Sequence, residues 1–189
     1  MDDSVARAVQ VTASDVLAAQ ARLRRYLNPT PLHYAERFGC WLKLENLQRT
    51  GSYKVRGAMN ALLAARERGD TRPVIAASAG NHAQGLAWAA YRLGMPAIAV
   101  MPQTAPDTKV AGVAHWGAAV RLHGDTYDEA KAFAAELAAQ HGYRCCRLRR
   151  SRRDRRTRAR SAGTGLADAR TWCSCRSAAA AWPRASPWH

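Results

Sequence analysis

No run of about eighteen or more apolar residues occurs anywhere in this chain, which excludes reading any stretch as a membrane-spanning helix. The opening MDDSVARAVQVTASD lacks a basic region followed by an apolar one, so a signal peptide is not expected and the expected location is cytoplasmic. Cysteine is scarce until late: Cys40 is alone before position 144, and Cys145, Cys146, Cys173 and Cys175 follow. Zinc sites want two pairs with about two to four residues between the ligands of each pair. An adjacent pair and a CxC do not meet that spacing, and no metal is expected. No internal repeat is found. What is present suits a globular fold, since 48% of the 189 residues are hydrophobic, enough for one full domain or two small ones.

Acidic residues are also scarce, and unevenly so. The net charge of +15 would suggest a nucleic-acid or acidic-membrane partner, yet residues 1–143 hold 16 Lys and Arg against 12 Asp and Glu, whereas 144–189 hold 13 against 2. Two compositions are joined near position 144.

Along the first of these, Ser14 and Asp15 open a helical stripe of Val16, Leu17, Ala19, Leu23 and Leu27, read as a packing helix that ends near Asn28 and Pro29. CWLKLE reads as a short strand leading into the loop NLQRTGS, and Val55, Ala58, Met59, Leu62 and Leu63 recur at helical spacing from Tyr53 to about Arg66. Short apolar runs then alternate with helical patterns: PVIAAS, a helix in HAQGLAWAAYRLG, AIAVM at 97–101, a helix from about Pro106 to Trp116, AVRLH at 119–123, and a helix from about Tyr127 to Gln140. Such alternation with short links predicts an α/β fold with a parallel sheet covered on both faces.

Two stretches could carry chemistry. In GSYKVRGA (51–58), Lys54 falls at a helix start just after Gly51 and Ser52. An amine forms an imine only if it is positioned and able to lose its proton, which burial and the positive end of a helix both favour. The plain alternative is a lysine that merely reaches solvent. In SAGNHAQG (78–85), small residues at a strand-to-helix turn let backbone N–H groups approach an anion such as a carboxylate, and Asn81 adds a side-chain donor. Its plain alternative is an ordinary loop with Asn81 as helix cap and a structural His82.

In this order, the two stretches resemble the lysine and substrate-carboxylate motifs of pyridoxal phosphate enzymes of the tryptophan-synthase-β type (fold type II). LENLQRTGSYKVRGA, SAGNHAQGLA, AVMPQTAPDTK and GDTYDEA narrow the resemblance to threonine dehydratase, with serine racemase as the nearest relative, over about Val11 to Tyr143. The resemblance implies pyridoxal 5'-phosphate as cofactor, held by Lys54 as a Schiff base. Lys54 would also be the acid and base at the substrate α-carbon. Asn81 would bond the cofactor ring hydroxyl, and Ser78, Ala79, Gly80, Asn81 and His82 would line the carboxylate loop. The implied substrate is a small hydroxy amino acid: L-threonine going to 2-oxobutanoate, or L-serine to pyruvate, with release of ammonia. Tyr53 stands where the family more often has phenylalanine. The implied architecture has three layers, with residues 1–72 as part of the large cofactor domain, 73–143 as the small domain, and a homo-oligomer for the full-length protein.

From 144 the family pattern stops, and the tail is expected to be aberrant and disordered. Leu148–Arg158, read one nucleotide later through permitted codons, can encode FDDPAVIAGQ, and Thr171–Trp188 read two nucleotides later can encode VVLVPVGGGGLASG, the missing family segments in order. The tail therefore reads as frameshifted. The literal chain, without a glycine-rich phosphate cradle, is expected to be inactive. The competing reading, a nucleic-acid binder working through the arginine-rich tail, has little aromatic interleaving and no recognised binding module behind it.

Overall fold

The computed structural model describes residues 11–146. The frameshift, disorder and phosphate-cradle expectations fall on residues outside these. In chain order the elements are α1 (Ala13–Leu23), β1 (Leu32–Ala35), β2 (Cys40–Lys43), α2 (Lys54–Glu67), β3 (Val74–Ala77), α3 (Asn81–Leu93), β4 (Ala97–Met101), α4 (Asp107–Ala114), β5 (Ala119–Leu122), α5 (Tyr127–His141) and β6 (Arg144–Cys145).

The main compact unit takes in 11–31 and 44–146. Its sheet has the order β5-β4-β3-β6 with every pairing parallel, so the expected covered parallel sheet is what forms. Alternation along the strands sorts side chains to two faces. Val74 and Ala76 of β3, with Ala97, Ala99 and Met101 of β4, pack with Val55, Met59, Leu62, Leu86, Trp88 and Val113 from α2, α3 and α4. Ile75 and Val100 turn the other way, onto Ala130 and Ala134 of α5. Met59, Leu62 and Leu86 are among the largest fully buried side chains, each contributing about 2 kcal/mol by removal from water. The same core is shared by α2, before position 72, and α3, after position 73.

Two expectations change. The first helix is capped by Thr12 rather than Ser14 or Asp15: the Thr12 hydroxyl accepts from the Asp15 N–H (3.3 Å) while the Asp15 carboxylate accepts from the Thr12 N–H (2.8 Å). Its apolar stripe is only partly used, because Val16 and Leu17 stay 58% and 64% exposed. The helix leans on α2 through its last turn, where Arg22 pairs with Glu67 at 2.8 Å, and only Leu23, Tyr26 and Leu27 reach the core. The second change concerns position 144, where the aberrant tail was expected to begin. Arg144 and Cys145 instead form the edge strand β6: the Arg144 N–H bonds the Pro73 carbonyl and the Cys146 N–H bonds that of Ile75, both at 2.8 Å. Backbone pairing is indifferent to side-chain composition, which is why an Arg-Cys-Cys stretch can complete the sheet. Asp70 anchors the same edge, accepting from Arg144 (2.7 Å) and from Arg72 (2.9 Å). The Arg72 hydrogen bond, and the charge of Arg144 beside it, hold the Asp70 carboxyl well below the usual carboxylate range.

Residues 32–43 form a second unit, an antiparallel hairpin in which Leu32 faces Lys43 and Ala35 faces Cys40. Tyr34 and Trp41 meet across it as a tilted pair, with ring centroids 5.2 Å apart and planes at 56°. The strand expected from CWLKLE is β2, ending at Lys43, while its partner β1 was not expected.

Candidate active site

Lys54 is the first residue of α2, as the sequence predicts. The loop before it is fixed by charge and hydrogen bonding. The Glu45 carboxylate accepts two N–H groups of Arg56 (2.8 and 2.9 Å) and the Thr30 hydroxyl (2.6 Å), tying the loop to the first turn of the helix. Buried Gln48 donates to the Asn28 carbonyl at 3.1 Å. Gly51, at φ +65°, makes the left-handed turn that brings the chain round to the helix, its N–H bonding the Gln48 carbonyl at 2.8 Å. With Val55, Ala58 and Met59 buried, the Lys54 backbone has little freedom, and its side chain is half-buried. Lys54 Nζ lies 4.7 Å from the centroid of the Tyr53 ring, a cation–π contact. It uses the ring face, which phenylalanine would offer equally, so the Tyr53 departure leaves it intact.

The stretch from Ser78 to Gly80 leaves the C-terminal end of β3, and the strand order reverses between β3 and β6. Such a reversal opens a crevice at the carboxyl ends of the strands, the usual ligand position in open α/β sheets. Gly80, extended at φ −146°, is the residue that caps α3, and its N–H donates to Ser78 Oγ at 3.3 Å. Asn81 is therefore the first helical residue and not the cap, and it is exposed. Helix geometry leaves the N–H groups of Asn81, His82 and Ala83 without acceptors one turn earlier, while Gln84 N–H already bonds the Gly80 carbonyl at 3.3 Å. These bare donors and the positive helix end suit an anion.

His82 is buried on the same turn, and its Nε2 lies 3.2 Å from the Cys146 carbonyl just beyond β6, across the strand reversal. Burial lowers its pKa against the opposing pull of the Cys146 hydrogen bond, and the nearby Lys54 charge adds to the lowering. Three residues further along α3, about one turn on, comes Gly85, a glycine with no chemistry of its own. A Cβ on Gly85 would lie 3.0 Å from Val55 N and 3.1 Å from Lys54 C, so α3 and the start of α2 meet backbone to backbone at the lysine itself.

Glu45, Arg56, Gly85 and the Cys146 carbonyl are residues that sequence reasoning did not single out. Glu45 and Arg56 do lie within LENLQRTGSYKVRGA, and their spacing across the loop was the available signal. GDTYDEA turns out to be a helix cap: the Thr126 hydroxyl accepts from Glu129 N–H at 3.3 Å, and the Glu129 carboxylate accepts from Asp125 N–H at 2.7 Å. Those backbone hydrogen bonds lower the Glu129 pKa.

A helix-start lysine beside a turn whose N–H groups suit an anion, at a strand reversal, defines a class of site, and residues 23–149 match the family described as pyridoxal-phosphate dependent enzyme. The chain belongs to that family. It is 41% identical over 138 residues to the L-threonine ammonia-lyase of Thermotoga maritima, covering 70% of this chain and 34% of that protein. Among solved structures it resembles a pyridoxal 5'-phosphate-dependent aspartate racemase (TM-score 0.68, 36% identity, 72% of this chain and 45% of the other). It also resembles the processed form of threonine deaminase isoform 2 from Solanum lycopersicum (TM-score 0.64, 33% identity, 72% and 41%). The chain thus spans about a third of the curated relative's length and under half of each solved chain.

The described residues fit one side of such a cofactor. Beside the lysine and the bare N–H groups, three buried polar atoms have no partner among the described residues: Thr50 Oγ1, Ser52 Oγ and His82 Nδ1. Two of them precede Lys54 in sequence, and the third sits on the first turn of α3. Leaving such atoms unpaired costs about 1–3 kcal/mol each, a cost that a polar ligand would remove.

Proposed function

We propose that this chain is the lysine and carboxylate-loop portion of a pyridoxal phosphate-dependent dehydratase acting on L-threonine or L-serine. The observation that carries this reading is the placement of Lys54 against α3, whose first turn presents bare N–H groups at the strand reversal. Likeness to an L-threonine ammonia-lyase supports the choice of substrate. When bound, pyridoxal phosphate supplies an electron sink for negative charge at the substrate α-carbon. Lys54 would hold it through its amine and move the proton at that carbon. Ser78, Ala79, Gly80, Asn81 and His82 would line the substrate-carboxylate site, with the N–H groups of Ala79, Asn81 and His82 as donors, since Ser78 N–H bonds the Val100 carbonyl and Gly80 N–H bonds Ser78 Oγ, and the Asn81 amide would bond the cofactor ring hydroxyl. Loss of the β-hydroxyl and hydrolysis then give 2-oxobutanoate from threonine, or pyruvate from serine, with ammonia.

The division into a large-domain part (1–72) and a small domain (73–143) is proposed for the longer protein, as are its homo-oligomeric state and cytoplasmic location. Among the described residues no helix is long and apolar enough to cross a membrane. The 189-residue chain itself is proposed to be inactive. Ammonia release from L-threonine tests this directly: none is expected from the purified chain, and measurable release refutes inactivity. Racemisation is the second reading, favoured by the structural likeness to an amino-acid racemase. Chiral analysis of serine incubated with the full-length, frame-corrected protein separates it from elimination.

A further inference from the structure

His82 does not fit a carboxylate-binding role through its side chain. Its ring lies at Nε2 3.2 Å from the Cys146 carbonyl, and a carbonyl oxygen can only accept. Nε2 must therefore carry the hydrogen. In the neutral ring this leaves Nδ1 as a bare acceptor, and Nδ1 is buried with no partner among the described residues, in a side chain of a residue only 8% exposed. Burial, the largest effect, and the neighbouring Lys54 charge oppose a second ring proton and outweigh the Cys146 hydrogen bond that favours it. A carboxylate brings only acceptors, and two acceptors facing each other repel. An amino acid, however, brings an ammonium group and, if it is a hydroxy amino acid, a hydroxyl.

We propose that His82 is a specificity-determining residue whose Nε2–H ties the first turn of α3 to the end of β6, fixing Nδ1 as an acceptor for the ammonium or hydroxyl group of the substrate, while only backbone N–H groups take the carboxylate. This rests on the reading of SAGNHAQG as the carboxylate loop. The geometry gives the tie a positional consequence as well: it crosses the strand reversal and so sets the width of the crevice in which both groups would lie.

The test is nitrogen NMR on the 189-residue chain carrying ring-labelled histidine at neutral pH, with His82→Gln identifying the signal. The glutamine can still donate to the Cys146 carbonyl, so the fold is kept. The expected His82 ring has a protonated Nε2 and a bare, pyridine-like Nδ1; an Nδ1–H tautomer or a doubly protonated ring overturns the proposal. Propionate, L-2-aminobutyrate and L-threonine are then titrated in. Backbone amides of Asn81 and His82 should move with all three, since all carry a carboxylate. Nδ1 should shift upfield, as an accepting nitrogen does, with L-threonine but not with propionate, and L-2-aminobutyrate shows whether the ammonium suffices. Moving amides with an unmoved Nδ1 would overturn this inference alone. Amides silent to every ligand would remove the carboxylate-loop reading, and this inference with it.

Discussion

Replacing Gly85 with alanine is the sharpest mechanical probe of how Lys54 is placed. The new Cβ would stand 3.0 Å from Val55 N and 3.1 Å from both Lys54 C and Val55 Cα. Heavy atoms of this kind prefer about 3.5–4.0 Å, so the start of α2 must retreat by roughly half an ångström. The obstacle is backbone, which cannot swing aside as a side chain would. Overpacking of this sort costs about 1–3 kcal/mol, and alanine's better helix propensity returns about 1 kcal/mol. Gly57 supplies the control: it lies in α2, is exposed, and a Cβ there would meet no described residue within 4 Å. Gly57→Ala should therefore gain about 1 kcal/mol. The propensity gain is common to both variants, so the difference between their stabilities isolates the packing clash, at about 2 kcal/mol. Urea denaturation of the three proteins, read by far-UV circular dichroism, measures it. If Gly85→Ala proves as stable as Gly57→Ala, the close helix approach is not a constraint and the argument for a backbone-fixed Lys54 fails.

Arg56→Ala should remove two charge-assisted hydrogen bonds to Glu45 in a partly buried setting and cost about 2 kcal/mol, lowering the melting temperature by about 4–8 °C; an unchanged melt would show that the loop is held by something else. Thr126→Ala should cost about 1 kcal/mol by opening the cap of α5, and Thr126→Ser should restore most of it. Asp70 gives a pH dependence. Its folded pKa is depressed, so its contribution to stability is present above about pH 4, the ordinary range of an unfolded aspartate, and is lost as pH falls below it. Asp70→Asn should therefore destabilise at neutral pH and flatten the acid limb of the stability profile; a parallel profile would mean that Arg72 and Arg144 do not act through this carboxylate.

How much of this was legible follows from the kind of signal each feature leaves. PVIAAS and AIAVM announce β3 and β4 because both faces of those strands are covered, which forces continuous apolar runs. The helix beginning at Lys54 is legible because Val55, Ala58, Met59 and Leu62 all face one core. Strand β6 leaves no such trace: two residues are too short for a period, and Arg144 and Cys145 are set by pairing with β3. The stripe in α1 misleads for the opposite reason, since an apolar period says what could be buried and not what covers it. In the site, Lys54 and the SAGNHAQG turn stand out by local order, whereas the Glu45–Arg56 pairing, the Gly85 approach and the bond from His82 to the Cys146 carbonyl join residues through the fold. The last of these spans 64 positions and involves a carbonyl, which no sequence pattern can mark.

The central claim is that Lys54, among the lysines of this chain, is the one placed to hold the cofactor. Incubation of the 189-residue chain with pyridoxal phosphate, reduction with borohydride and peptide mass mapping tests it most directly. The account predicts the reduced adduct concentrated on Lys54, with both adduct and visible absorbance lost in Lys54→Ala. An adduct spread evenly over Lys43, Lys54, Lys109 and Lys131, or absorbance unchanged in Lys54→Ala, would contradict it.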